Sequence, residues 1–181
     1  KDSDDTQLPM IARIVPARQN NATQWRSGFS RDGKYFAYST GGRAVTEREP
    51  LFAMKIEDTG SPGKHIRVGS GIARWTISVD GKRWYYFRGF NYDVEGSPRG
   101  TLTMADFPSG ENEATLVGNV GAYQVLVDTS EQEKGIGIFS RVVDQRGDYR
   151  IMRDTSKPDE LVDVVRKVSS ARVSRDLKYT Y

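Results

Sequence analysis

The sequence contains no cysteine, a single histidine and no long apolar run. The absence of cysteine excludes disulfides, thiolate metal sites and cysteine nucleophiles. With His65 as the only histidine, any serine triad or histidine metal cluster within the chain would have to be built on it. His65 sits beside Ile66 in a run with no nucleophile motif. A Gly-x-Ser-x-Gly elbow, a phosphate-binding glycine loop and a His-Glu-x-x-His pair are all missing as well. No stretch approaches the roughly 20 apolar residues of a membrane-spanning helix. Neither sign of charge dominates: residues 1–162 carry 22 basic and 22 acidic side chains, and the net +3 comes from residues 163–181, with five basic and two acidic. That balance speaks against a nucleic-acid partner. The basic C-terminal segment reads first as solvated surface, and second as a contact for acidic partners or lipid headgroups. The expectation is a chain without catalytic residues, bound metal or cofactor.

What the sequence does contain is a period. Asp32, Asp80, Asp128 and Asp176 are spaced by 48 residues, and Asp58, Asp106 and Asp154 repeat the spacing in a second register. Phe29, Ile77, Val125 and Val173 share one column, and Ser30, Ser78 and Ser174 the next. Self-similarity of this length marks a repeat architecture, whose units bury their apolar faces against one another. Each unit divides into four short strands separated by turn residues. In the first unit these are residues 24–30, 34–40, 51–57 and 64–68, in the second 73–78, 83–88, 101–106 and 114–117, and in the third 122–127, 135–141, 148–153 and 161–166. The fold expected is all-β, with propeller-type blades of four antiparallel strands and about three and a half blades, so an incomplete or open propeller. Residues 1–9 read as a flexible tail. The blades fall at about 24–71, 72–119 and 120–168, with a partial one at 169–181, and Met10–Val15 reads as an outer strand of a preceding blade.

The repeated aspartates invite a calcium reading, because carboxylates are hard oxygen ligands. Turn chemistry accounts for them better. Asp32-Gly33 and Asp80-Gly81 stand between strands a and b, where aspartate bonds the following backbone and glycine supplies positive φ. Asp128 and Asp176 hold the same place without the glycine. The aromatics, among them Trp25, Trp75, Trp84, Tyr85 and Tyr86, follow strand alternation and read as packing between blades rather than as a stacking surface.

Ser30-Arg31-Asp32-Gly33-Lys34-Tyr35-Phe36-Ala37 and Ser78-Val79-Asp80-Gly81-Lys82-Arg83-Trp84-Tyr85 resemble the WD40-like PD40 propeller repeat. That repeat belongs to TolB-type proteins and to the propellers of prolyl oligopeptidase, dipeptidyl peptidase and tricorn-like enzymes. Arg31, Val79 and Arg175 replace the proline that usually precedes the aspartate. The resemblance implies the fold and, through the TolB type, a periplasmic or extracellular setting. Function is sought in the two longer b–c connections, which emerge on one side. They carry Arg43, Glu47 and Arg48 in the first unit, and Phe90, Tyr92, Asp93 and Arg99 in the second. Aromatics and arginines of this kind anchor protein interfaces. The function expected is a non-catalytic interaction or scaffold module, an accessory subunit whose protein partner covers the open edge. The other class is a piece of the propeller that gates an oligopeptidase-like serine hydrolase.

Overall fold

Twelve strands form three sheets of four in a computed structural model that describes residues 27–39, 50–56, 62–91, 99–127, 130–143, 146–169, 171 and 173. The first blade is β1 (Ser27–Phe29), β2 (Tyr35–Ser39), β3 (Pro50–Ile56) and β4 (Pro62–Ser70). The second is β5 (Ile72–Ile77), β6 (Arg83–Asn91), β7 (Arg99–Asp106) and β8 (Ala114–Val120). The third is β9 (Ala122–Val127), β10 (Glu133–Val143), β11 (Arg146–Met152) and β12 (Leu161–Val168). In each sheet the spatial order follows the chain and every pair is antiparallel. No helix occurs among the described residues, so none is long and apolar enough to cross a membrane. The 1–9 tail, Met10–Val15 and all of the fourth unit except Ser169, Ala171 and Val173 lie outside the described residues.

Strand alternation gives each blade two apolar faces, one toward the preceding blade (leading) and one toward the next (trailing). Ala37, Leu51, Ala53 and Val68 on the trailing face of blade 1 pack against Ile72, Trp75, Trp84, Tyr86 and Ala105 of blade 2. Small residues on one side thus admit two indoles on the other, and Trp75 and Trp84 meet edge to face at 5.5 Å. The next seam brings Tyr85, Phe87 and Leu102 of blade 2 against Ile136, Ile138 and Met152 of blade 3. The adjacent tyrosines Tyr85 and Tyr86 therefore serve opposite seams.

The third blade departs from strict repetition. Ile77 pairs with Trp84, but Val125, one period on, pairs with Ile136, four positions beyond the residue that the period would place there. The a–b hairpin is longer by that amount, its pairing carried on to Val127 and Glu133 across a bulge between Glu133 and Gly135. A short b–c turn compensates: Val143 pairs with Arg146, whereas Asn91 pairs with Arg99 in blade 2. Met152 returns to the column of Met104. Gly137 leaves room for the Tyr149 ring, which lies so close that any Cβ there would collide with the phenol.

Candidate functional site at the turn end of the blades

The a–b turns of blades 1 and 2 are built alike. Ser30 donates its hydroxyl to Asp32 Oδ1 at 2.6 Å, Lys34 N–H donates to the same oxygen at 3.1 Å, and Tyr35 N–H donates to Ser30 Oγ at 2.9 Å. The same three bonds in blade 2 join Ser78 to Asp80 (2.6 Å), Lys82 N to Asp80 (3.1 Å) and Arg83 N to Ser78 (2.9 Å). Gly33 and Gly81 take φ of +71° and +69°, the left-handed conformation that such a turn requires. The Ser30 hydroxyl, then the Lys34 amide, hold the Asp32 carboxyl below its ordinary range. At Asp80 burial works against ionisation, yet the Ser78 hydroxyl, the Lys82 amide and the charges of Lys82 and Arg83 together hold the carboxyl low. Asp128 and Asp176 lie outside the described residues.

Between blades 2 and 3, at this turn end, opens a cleft of about 540 Å³ lined by Asp80, Arg83, Tyr85, Glu131, Gln132, Glu133, Arg153, Asp154 and Thr155, with Val79 and Gly135 beneath. Glu133 is its structural hub. One carboxylate oxygen accepts the Tyr85 hydroxyl at 2.7 Å and the other accepts Val79 N–H at 3.1 Å, both from blade 2. Burial, then the Glu133 carboxylate, push the Tyr85 phenol well above its ordinary range, so it stays a neutral donor. Arg83 crosses the same seam to donate to Thr155 Oγ1 at 2.6 Å. Asp154 is turned by Ser156, whose hydroxyl (2.7 Å) and amide (2.9 Å) both reach its Oδ1 and lower its pKa. Arg31 of blade 1 donates to the Glu131 carbonyl at 3.2 Å and pairs with its carboxylate, tying blade 1 to the turn of blade 3. Phe29, one residue before the first turn knot, is 65% exposed.

The cleft thus lies at the end opposite the b–c connections that the sequence favours. Arg43, Glu47, Arg48, Tyr92 and Asp93 are outside the described residues. Phe90 is within them and corrects the expectation of a loop anchor. It extends β6, is 6% exposed, stacks at 4.9 Å on Phe87 and lies under the Arg74 guanidinium at 4.6 Å. Burying it in the seam gains more than leaving it in water, and its ring is spent on the core. Arg99 starts β7 and reaches Asn119 Oδ1 at 3.5 Å. His65 is exposed on β4, where its Nδ1 shares a hydrogen bond with the Tyr38 hydroxyl. Among the described residues no three His, Asp or Glu side chains are grouped to hold a metal ion. Of the cleft residues, Arg83 belongs to the second turn motif and Asp154 to the second register of aspartates, whereas Glu131, Glu133 and Arg153 carry no motif. The one available signal is that Glu133 stands one period after Tyr85, its partner.

No family model and no curated protein matches the chain. Among solved structures, puromycin hydrolase is similar over 82% of this chain and 23% of its own, at 15% identity and a TM-score of 0.52. The acylaminoacyl peptidase of Pyrococcus horikoshii is similar over 84% of this chain and 26% of its own, at 16% identity and a TM-score of 0.51. The chain spans about a quarter of the length of these two proteins. At such identity the likeness is one of fold. With the three stacked four-stranded sheets, it makes this an all-β chain of propeller-type blades.

Proposed function

We propose that the chain is a non-catalytic protein-interaction module that engages its partner at the turn end of its blades. The observation that carries this is the charged seam cleft, whose Glu131 is held by Arg31, two residues after the solvent-facing Phe29. An exposed aromatic beside arginine and carboxylates is the composition of an interface anchor with its polar rim. The polar groups around Glu133 are engaged in joining blades, and His65 is paired with Tyr38, which supports a binding role over chemistry. Membership of the PD40 repeat class and a bacterial periplasmic setting belong to this reading, through the turn motifs Ser30–Lys34 and Ser78–Lys82. The test is a photo-crosslinking residue placed at Phe29 or Arg153 in the producing cell. A discrete adduct from these sites, not matched from Val162 on the outer strand, is expected. No adduct from either site, or hydrolysis of esters or peptides by the purified chain, overturns the reading.

The second reading, that these blades belong to the propeller of a larger hydrolase, is favoured by the fold likeness to puromycin hydrolase and acylaminoacyl peptidase. Its test is the intact mass of the native polypeptide. A mass far above 20.3 kDa, with a serine hydrolase domain in the remainder, is expected on this reading, and a mass of 20.3 kDa contradicts it.

A further inference from the structure

The a–b turns of blades 1 and 2 each place a glycine two residues before strand b, Gly33 before Tyr35 and Gly81 before Arg83, with φ of +71° and +69°. In blade 3 strand b starts at Glu133, and the residue two before it is Glu131. Its φ is +61°, so the backbone keeps the left-handed conformation although a side chain stands where the other two turns have none. A Cβ built at Gly33 or Gly81 meets nothing within 4 Å, so such a position has room for a side chain and its cost is conformational. A residue kept in a strained conformation points to something that holds it there.

The Arg31 guanidinium does so. It donates to the Glu131 carbonyl at 3.2 Å and pairs with the Glu131 carboxylate, gripping the backbone and the side chain of one residue 100 positions away. Among the described residues that carboxylate has no other hydrogen bond or ion pair. Two residues on, Glu133 is held from the other side by Tyr85 and Val79 of blade 2. Residues 131–133, which form one wall of the seam cleft, are thus fixed at both ends, to blade 1 through Arg31 and to blade 2 through Glu133. The two fixings differ in strength. Arg31 and Glu131 leave 52% and 56% of their side chains exposed, so solvent screens the pair, and its worth is of the same order as the backbone strain it opposes. The Glu133 contact with Tyr85, itself 1% exposed, is shielded by the seam.

We propose that Arg31 and Glu131 form an ionic latch that holds the blade 3 wall of the seam cleft in place, and that screening the pair frees this wall and opens the cleft. The latch governs access to the cleft assigned above to the partner, and in that respect it rests on the interaction reading.

The Val79 N–H, accepted by Glu133 at 3.1 Å, reports the position of the wall, and the Gly81 N–H, bonded to the Ser78 carbonyl at 3.0 Å within blade 2, is the internal control. Exchange of both amides is followed in the purified parent chain, in Glu131→Gly and in Arg31→Ala. Sodium chloride is raised from about 0.1 M to about 1 M, over which the screening length falls from ~10 Å to ~3 Å. Glycine takes the left-handed conformation freely, so Glu131→Gly keeps the turn and removes the carboxylate alone, whereas Arg31→Ala removes both contacts. Salt should speed Val79 exchange in the parent by at least about threefold relative to Gly81. Both variants should exchange Val79 at low salt as fast as the parent does at high salt, while Glu131→Gly melts no lower than the parent because its strain is gone. A role in turn stability alone would instead move melting and exchange together. Unchanged Val79 exchange in either variant, a salt dependence that survives in Glu131→Gly, or equal acceleration of Val79 and Gly81 overturns the latch. The exchange is read without a partner, so its failure leaves adducts from Phe29 and Arg153 as they are, and missing adducts leave the exchange result standing.

Discussion

At the level of single residues, the turn knot explains why serine and aspartate repeat together. The serine hydroxyl bridges the aspartate and the strand beyond, and the aspartate fixes the amide two positions on. Gly81 has nothing within 4 Å of a would-be Cβ, so Gly81→Ala carries backbone strain alone. It should cost about 1–2 kcal/mol in urea unfolding, the ordinary expense of a left-handed alanine. Asp80 supplies a pH signature. Its carboxyl titrates below the ordinary 3.8 in the folded chain, so the unfolded chain takes up a proton first as the medium is acidified. Its contribution is whole well above pH 3.8 and disappears as the pH falls through the lower folded-state value. Thermal unfolding followed from pH 6 down to pH 2.5 should therefore show a steeper acid decline for the parent chain than for Asp80→Asn. The positions of these turns were legible in the sequence because Asp-Gly between alternating runs has few other uses. The collision space over Gly137 was not, because it depends on a ring from the neighbouring strand.

Among the strands, blade 3 shows what a period conceals. The 48-residue spacing survives there because a longer a–b hairpin and a shorter b–c turn offset each other. Strand positions could be read from apolar alternation, and strands β5 through β12 fall within a few residues of the sequence reading. The displaced pairing of β10 could not, since a register slip leaves the pattern of the strand itself unchanged. Phe90 was misplaced for a related reason: Gly89, at φ +55°, looks like the end of a strand but is an irregularity within β6. The same displacement puts Glu133 where it grips blade 2. Removing that carboxylate strands the Tyr85 hydroxyl and the Val79 amide, so Glu133→Ala should cost about 2–3 kcal/mol. In a double-mutant cycle with Tyr85→Phe, a coupling of about 1–2 kcal/mol is expected from chemical denaturation, and additivity would show that the two residues act apart.

At the scale of the whole molecule, the described blades form a stack in which the large side chains of β6 are committed to seams. Trp84, Tyr86 and Phe87 are 0% exposed and Tyr85 1%. The turn-end cleft was invisible to motif reading because it is assembled from the a–b turn of blade 2 and the a–b and c–d turns of blade 3. If one repeat is one blade, hydrogen exchange must carry the same period. Amide exchange across the 181-residue chain is the measurement that tests this most directly. The account predicts three separate blocks of slow exchange, in β2 and β3, in β6 and β7, and in β10 and β11, divided by faster exchange in the outer strands β4, β8 and β12. Slow exchange that peaks in the outer strands, or that runs through the chain without the 48-residue interval, would contradict it.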